Sequence, residues 1–190
     1  MEELDRDTVE WLSSLHWPVV TPVMKGLTYA GAGSIVWIVI AAVLAFRLRR
    51  PLVFVALLIA VELASFADGR LKDAIGRDRP PVGDPHVHPS IPVPTDPSMP
   101  SGHAMTAFAG AVVLGAVVPR ARWALLALAV GIALSRVYLG VHFPSDVLAG
   151  AALGAAIGAV VAWLLPRGER ALADRLAVAE KSGSDPERRL

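Results

Sequence analysis

Long apolar stretches separated by short charged ones make up most of the chain. Tyr29 to Phe46 contains no Asp, Glu, Lys or Arg, and neither does Pro100 to Pro119. Each approaches the ~20 residues a helix needs to cross a hydrocarbon layer about 30 Å thick. Pro51 to Ala67 is apolar apart from Glu62, Trp123 to Leu139 apart from Arg136, and Phe143 to Leu165 apart from Asp146. The pattern predicts five transmembrane helices joined by short loops and one longer one.

The two ends follow a different pattern. The chain opens Met1-Glu2-Glu3-Leu4-Asp5, without the positive region that begins a cleaved signal peptide. Trp11 to Met24 is short for a span and is interrupted by Ser13, Ser14, His16, Pro18 and Pro22. It predicts an amphipathic helix lying in the interface, anchored by Trp11 and Trp17. Arg167 to Leu190 mixes Arg170, Arg175 and Lys181 with Glu169, Asp174 and Glu180, as a solvated helix followed by a frayed tail does. The expected organisation is an interfacial segment over 1–27, a membrane bundle over 28–165 with a loop at 80–100, and a tail over 166–190.

Composition agrees with a membrane solvent. Of 190 residues, 54% are hydrophobic and 18% charged, with a mean hydropathy of +0.53, too little polar surface to coat a water-soluble globule. A formal net charge of +1 argues against a nucleic-acid binder held by bulk positive charge. The absence of cysteine excludes a disulfide framework, thiolate metal sites and a cysteine nucleophile. Arg47, Arg49, Arg50, Arg120, Arg122, Arg167, Arg170 and Arg175 lie near span ends that share one face. The positive-inside rule makes that face cytoplasmic and the 68–100 segment extracytoplasmic.

Charges retained within or beside spans are costly, roughly 2.5 to 3.5 kcal/mol at a helix centre, and so call for a reason. Alternating five helices up and down brings three polar clusters to one face: Lys72 to Pro80, Pro100 to His103, and Ser135-Arg136 with His142 and Asp146. Lys72 and Arg79 are two turns apart on one helical stripe if the helix persists that far. An ammonium is a point charge for phosphate, whereas Arg79 and Arg136 can grip oxygens bidentately. Pro100-Ser101-Gly102-His103 opens an apolar helix whose free amides face an anion, with Gly102 allowing close approach and Ser101 adding a hydroxyl. His142 and Asp146, four apart, can pair so that one imidazole nitrogen is held and the other is free to attack. His103 is then available as the acid for a leaving oxygen.

These residues carry a resemblance. Lys72-Asp-Ala-Ile-Gly-Arg-Asp-Arg79-Pro80, Pro100-Ser-Gly-His103, and Ser135-Arg136 with His142 and Asp146 resemble the three-part signature of the type 2 phosphatidic acid phosphatase superfamily. The similarity is to its small bacterial membrane lipid phosphatases, such as those acting on undecaprenyl diphosphate. The resemblance implies an all-α integral membrane bundle and metal-independent hydrolysis of a lipid phosphate, with no cofactor and no metal site. It further implies Lys72, Arg79, Arg136, Ser101 and Gly102 as phosphate ligands, supported by Ser135. His142 would be the nucleophile of a phosphohistidine intermediate, Asp146 its partner and His103 the general acid. A polyprenyl diphosphate or phosphate is the first substrate expectation, and phosphatidylglycerophosphate or phosphatidic acid the second. A catalytically silent lipid-phosphate carrier or scaffold is the alternative of another class.

Other features have plainer expectations. Glu62 is expected to hydrogen-bond between helices, Asp68 to pair with Lys72 or cap a loop, and Arg136 with Asp146 could form a structural ion pair. His86 and His88 form an H-x-H in a loop, a weak metal signal. Eight of the 15 prolines fall between Pro80 and Pro100, which predicts an irregular, semi-rigid loop covering the site. Gly150, Gly154 and Gly158 form a small-residue stripe that predicts close helix packing within the bundle.

Overall fold

The computed structural model describes residues 2–183, and the side chains of 3–177. Within these the chain is all-helical: α1 (Glu2–Ser14), α2 (Val20–Gly31), α3 (Ile35–Leu48), α4 (Pro51–Ile75), α5 (Pro80–Gly83), α6 (Gly102–Val117), α7 (Arg122–Tyr138) and α8 (Pro144–Gly183). Single 3-10 turns at Ala32–Ser34 and Pro119–Ala121 lead into α3 and α7. The frayed tail expected at the C-terminus lies outside the described residues. The solvated helix before it is present as the continuation of α8 through Pro166.

Four segments are long and apolar enough to cross a membrane: Val20–Leu48, Pro51–Gly83, Pro119–Tyr138 and Pro144–Ala177. The fifth expected span is shorter than predicted. α6 begins at Gly102, just after Pro100, and has 16 residues. Its environment explains the length: Ala104 to Thr106 and most residues on to Leu114 are buried, packed by α4, α7 and α8. Protein surrounds this helix, so it need not match the thickness of the hydrocarbon.

The N-terminal boundary also differs from expectation. Pro18 restricts the residue before it, and the helix expected over Trp11–Met24 is instead broken between Ser14 and Val20. α2 runs through residue 28 to Gly31, where Gly33 (φ 55) and Ser34 (φ 59) kink the chain into α3. α2 and α3 thus form one bent crossing, and only α1 can lie at the interface. Trp11 and Trp17 are exposed, but Val9, Ser13 and Asp5 of the same segment are buried, because α1 packs on α7 and α8.

Small residues set the closest helix contact. A Cβ on Gly150 would lie 2.5 Å from the Ser101 carbonyl, one on Gly158 would lie 2.7 Å from that of Ala109, and one on Gly154 would overlap that of Met105. The glycine stripe of α8 therefore packs on α6 inside the bundle, as expected. Trp37, Leu57, Met105, Leu114 and Ile132 fill the apolar core alongside. At the end of the bundle carrying the arginine-rich loops, Arg50 forms a two-pronged ion pair with Glu169 at 2.7 and 2.8 Å, tying α8 to the α3–α4 turn.

Candidate active site

At the opposite end, the α2–α3 kink, the C-terminal two-thirds of α4, the loop after it, the start of α6 and the end of α7 with the turn that follows line an open cavity of about 490 Å³. Lys72, Arg79, Gly102, His103, Arg136 and His142 line it, together with Asp68 and Asp96. Six of the nine residues singled out from the sequence thus share one wall. Ser101, Ser135 and Asp146 are fully buried behind it.

The stripe expected from Lys72 to Arg79 does not form. Gly76 adopts the left-handed conformation (φ 63) and donates its amide to the Lys72 carbonyl, ending α4 at Ile75. This is the helix stop that glycine favours. The chain then turns back and Arg79, extended before the single turn of α5, enters the cavity from another direction. That turn, Pro80–Gly83, is the only helical part of a proline-rich segment otherwise as irregular as expected.

The cations meet on a carboxylate that the sequence did not single out. Lys72 Nζ lies 2.5 Å from Asp96 Oδ2 and 3.1 Å from Asp68 Oδ2. Arg79 Nη2 donates to Asp96 Oδ1 at 2.9 Å and Arg79 Nε to the Asp96 carbonyl at 2.8 Å. Partial burial would raise the Asp96 pKa, but the hydrogen bond and charge of Lys72, then those of Arg79, outweigh it and hold it at about 2. Arg136 donates to Thr28 Oγ1 at 2.5 Å and its Nε has no partner. Among the described residues it has no carboxylate partner, so the Arg136–Asp146 pair considered from the sequence is absent. A buried guanidinium that lines a cavity and has no carboxylate partner can bind an anion there.

His142 sits in the turn between α7 and α8, which Gly140 (φ 73) makes possible. Its Nε2 lies 3.1 Å from Arg79 Nη1. Its Nδ1 lies 3.5 Å from Asp146 Oδ2 and 3.4 Å from Ser98 Oγ. An arginine can only donate, so the surroundings favour the tautomer with hydrogen on Nδ1 and the lone pair of Nε2 turned towards Arg79 and the cavity. Asp146 accepts from Ser98 Oγ at 2.5 Å, from the Phe143 amide at 2.9 Å and from Arg77 Nη1 at 2.7 Å.

His103, in the first turn of α6, also lines the cavity, with its imidazole packed at Gly31. The amide of Ser101 is taken by the Asp146 carbonyl at 3.0 Å, while its hydroxyl is buried without a partner. The amides that follow, from Gly102, begin α6 and lie at its positive end. Ser135 donates back to the Ile132 carbonyl at 2.6 Å, within α7. Asp68 pairs with Lys72, as expected, whereas Glu62 lines the cavity with no hydrogen bond among the described residues. No group of three His, Asp or Glu side chains comes together as a metal cage among the described residues.

Sequence reading missed Asp5, Thr28, Arg77, Asp96 and Ser98. Arg77 carried a signal, as a second arginine inside the Lys72–Pro80 segment. Asp96 and Ser98 lie in the proline-rich loop, where no periodicity marks which way a side chain points.

These walls define a membrane-embedded helical bundle with a cationic, histidine-bearing cavity. The PAP2 superfamily profile matches residues 50–170, and the chain belongs to that superfamily as a membrane lipid phosphatase. It is 35% identical over 155 residues to the decaprenylphosphoryl-5-phosphoribose phosphatase of Mycobacterium tuberculosis, covering 76% of this chain and 80% of that one. It is 38% identical over 123 residues to the undecaprenyl-diphosphatase of Sulfolobus acidocaldarius, covering 63% and 58%. The transmembrane PAP2-type phosphatidylglycerolphosphate phosphatase of Bacillus subtilis superposes with a TM-score of 0.68 at 26% identity, covering 89% of this chain and 86% of that one.

Proposed function

We propose that the protein hydrolyses a phosphate from a polyprenyl-linked lipid through a phosphohistidine on His142. The observation that carries this is the His142 ring itself, with a carboxylate and hydroxyl at Nδ1 and Nε2 facing a cation-lined cavity. Lys72, Arg79 and Arg136 hold the phosphoryl oxygens, with the first amides of α6 and the Ser101 hydroxyl beside them; Ser135 steadies the α7 turn bearing Arg136. Nε2 attacks phosphorus while the bond to the lipid oxygen breaks, and Asp146 stabilises the imidazolium that develops. His103 donates its proton to the departing lipid oxygen. It then takes a proton from the water that attacks the phosphohistidine, releasing inorganic phosphate and restoring both histidines. The cationic cavity supplies the electrostatic stabilisation of the transferring group, and no step draws on a metal ion.

The polyprenyl chain is favoured because both curated relatives described above are named for polyprenyl lipids. A glycerophospholipid such as phosphatidylglycerophosphate is the second reading, supported by the B. subtilis structure. The arginine-rich end of the bundle faces the cytoplasm and the cavity faces outward. Phosphate release in detergent from a panel of lipid phosphates, with His142→Ala alongside, tests the reaction. Release from a polyprenyl substrate, lost in His142→Ala and unaffected by chelator, is the expected result. Equal release by the variant sinks the phosphohistidine, chelator-sensitive release that added metal restores sinks the metal-free route, and no release from any lipid favours a carrier.

A further inference from the structure

Arg77 stands behind the cavity, outside the set of cations that line it. Its Nη1 donates to Asp146 Oδ1 and to Ser145 Oγ, both at 2.7 Å, and its Nη2 donates to Asp5 Oδ2 at 3.0 Å. Its guanidinium lies 4.1 Å from the centre of the Phe143 ring. Asp5, on α1, is buried and also accepts hydrogen bonds from the Ser145 amide at 3.0 Å and from the Ser145 hydroxyl. Burial opposes the Asp5 charge, but the hydrogen bonds of Ser145 and Arg77 prevail and hold its pKa below the ordinary value. A carboxylate, a guanidinium and a second carboxylate therefore run in series from the N-terminal helix to the partner of His142.

The geometry at Asp146 makes the middle member consequential. Oδ2 serves Ser98, the Phe143 amide and His142, whereas Oδ1 is held by Arg77. The His142 contact, at 3.5 Å, is the longest of these, so a small rotation of the carboxylate decides whether the imidazole is held. Pinning Oδ1 fixes that rotation. A guanidinium can do this because its planar fork bonds Asp146 and Asp5 at once while its face stacks on Phe143, which a lysine cannot reproduce.

Resting on the assignment of His142 and Asp146 made above, we propose that Arg77 is a positioning residue that aligns Asp146 for His142, and that Asp5, by holding Arg77, makes the N-terminal helix a working part of the active site. The test compares full-length wild type, Arg77→Lys, Asp5→Asn, the double variant and His142→Ala in detergent. It reads kcat, KM for a lipid phosphate, and the inhibition constant for inorganic phosphate. Arg77→Lys is expected to lower kcat by about 10- to 100-fold, the range typical of residues that orient a site's primary groups. Asp5→Asn lowers kcat by less, and the double variant falls no further than Arg77→Lys because the two act through one chain of contacts. The inhibition constant for inorganic phosphate stays within about two-fold of wild type, since the cavity cations that hold this ground-state product are untouched.

An unchanged kcat in Arg77→Lys overturns the proposal, as does phosphate binding that weakens in proportion to kcat, or losses that multiply in the double variant. If Arg77→Lys does not fold, Asp5→Asn must still lower kcat with phosphate binding intact, and an unchanged kcat there is equally fatal. Activity retained in His142→Ala shows instead that the assignment of the pair has failed, and takes this proposal with it.

Discussion

His103, in the first turn of α6, and His142, in the turn between α7 and α8, line the same cavity, and their surroundings differ. His142 has a carboxylate and a hydroxyl at one nitrogen and an arginine at the other, whereas His103 has no carboxylate within ion-pair distance among the described residues. If His103 donates the proton to the leaving oxygen, His103→Ala slows release of a lipid alcohol by about 10²- to 10⁴-fold. It should slow p-nitrophenyl phosphate far less, because that leaving group needs no proton. Similar losses on both substrates, measured as kcat/KM, would assign His103 to binding instead. At this scale the sequence was informative for groups close together in the chain, such as His142 and Asp146, four residues apart across the start of α8. It was silent on Asp96 and Ser98, whose positions depend on where a loop returns and not on any period, and it offered Arg77 only as a second arginine in the Lys72–Pro80 segment.

The proline-rich loop and the α6–α8 pair are the elements that matter most. The loop delivers the Asp96 carboxylate to Lys72 and Arg79, two of the cations proposed above to hold the phosphoryl group. Because the Asp96 pKa is lowered from 3.8 to about 2, this tether is fully present above about pH 4 and is lost only as pH falls through about 2. Loop docking should therefore be insensitive to pH between about 5 and 8, as limited proteolysis of the loop would report. Asp96→Asn removes the charge at every pH and should tighten orthovanadate inhibition by about two- to five-fold, the scale of a half-exposed ion pair. Weaker inhibition in that variant would make Asp96 a support of the cavity and not a competitor for it. Across the bundle, Gly154→Val forces a side chain into the Met105 carbonyl. It should cost about 1 to 3 kcal/mol, read as a lower thermal midpoint in detergent, while Gly168→Ala, with open space around it, should leave the midpoint unchanged.

Taken whole, the molecule separates charge by end. Arg50 and Glu169 join the helices at one end, while Asp5, Arg77, Asp96 and the cavity residues occupy the other. Two arginines, Arg122 and Arg167, lie over Trp123 and Trp163 at 4.8 and 3.6 Å, where cations and indoles gather at a membrane surface. Sidedness can be measured directly, because the chain has no cysteine of its own. In intact cells His86→Cys, on the exposed loop, should react with a membrane-impermeant maleimide and Arg170→Cys should not. The reverse labelling would place the site on the cytoplasmic side and exclude an outward-facing lipid as substrate.

The sequence by itself determined the solvent, the helical class and six of the residues that line the cavity. Apolar length reports the bilayer directly, and a charge that survives inside it must have a use. It also foresaw the glycine stripe, since helical spacing alone puts those positions on one face. Tertiary structure alone decided that α6 is enclosed by protein and shorter than a span, that α2 and α3 make one bent crossing, and that Lys72 and Arg79 converge across a helix end and not along a stripe. It also placed Asp5, Arg77 and Ser98 around Asp146. Each of these depends on contacts between segments distant in the chain, where the backbone leaves its helical period at Gly33, Gly76 and Gly140 and local pattern no longer predicts direction.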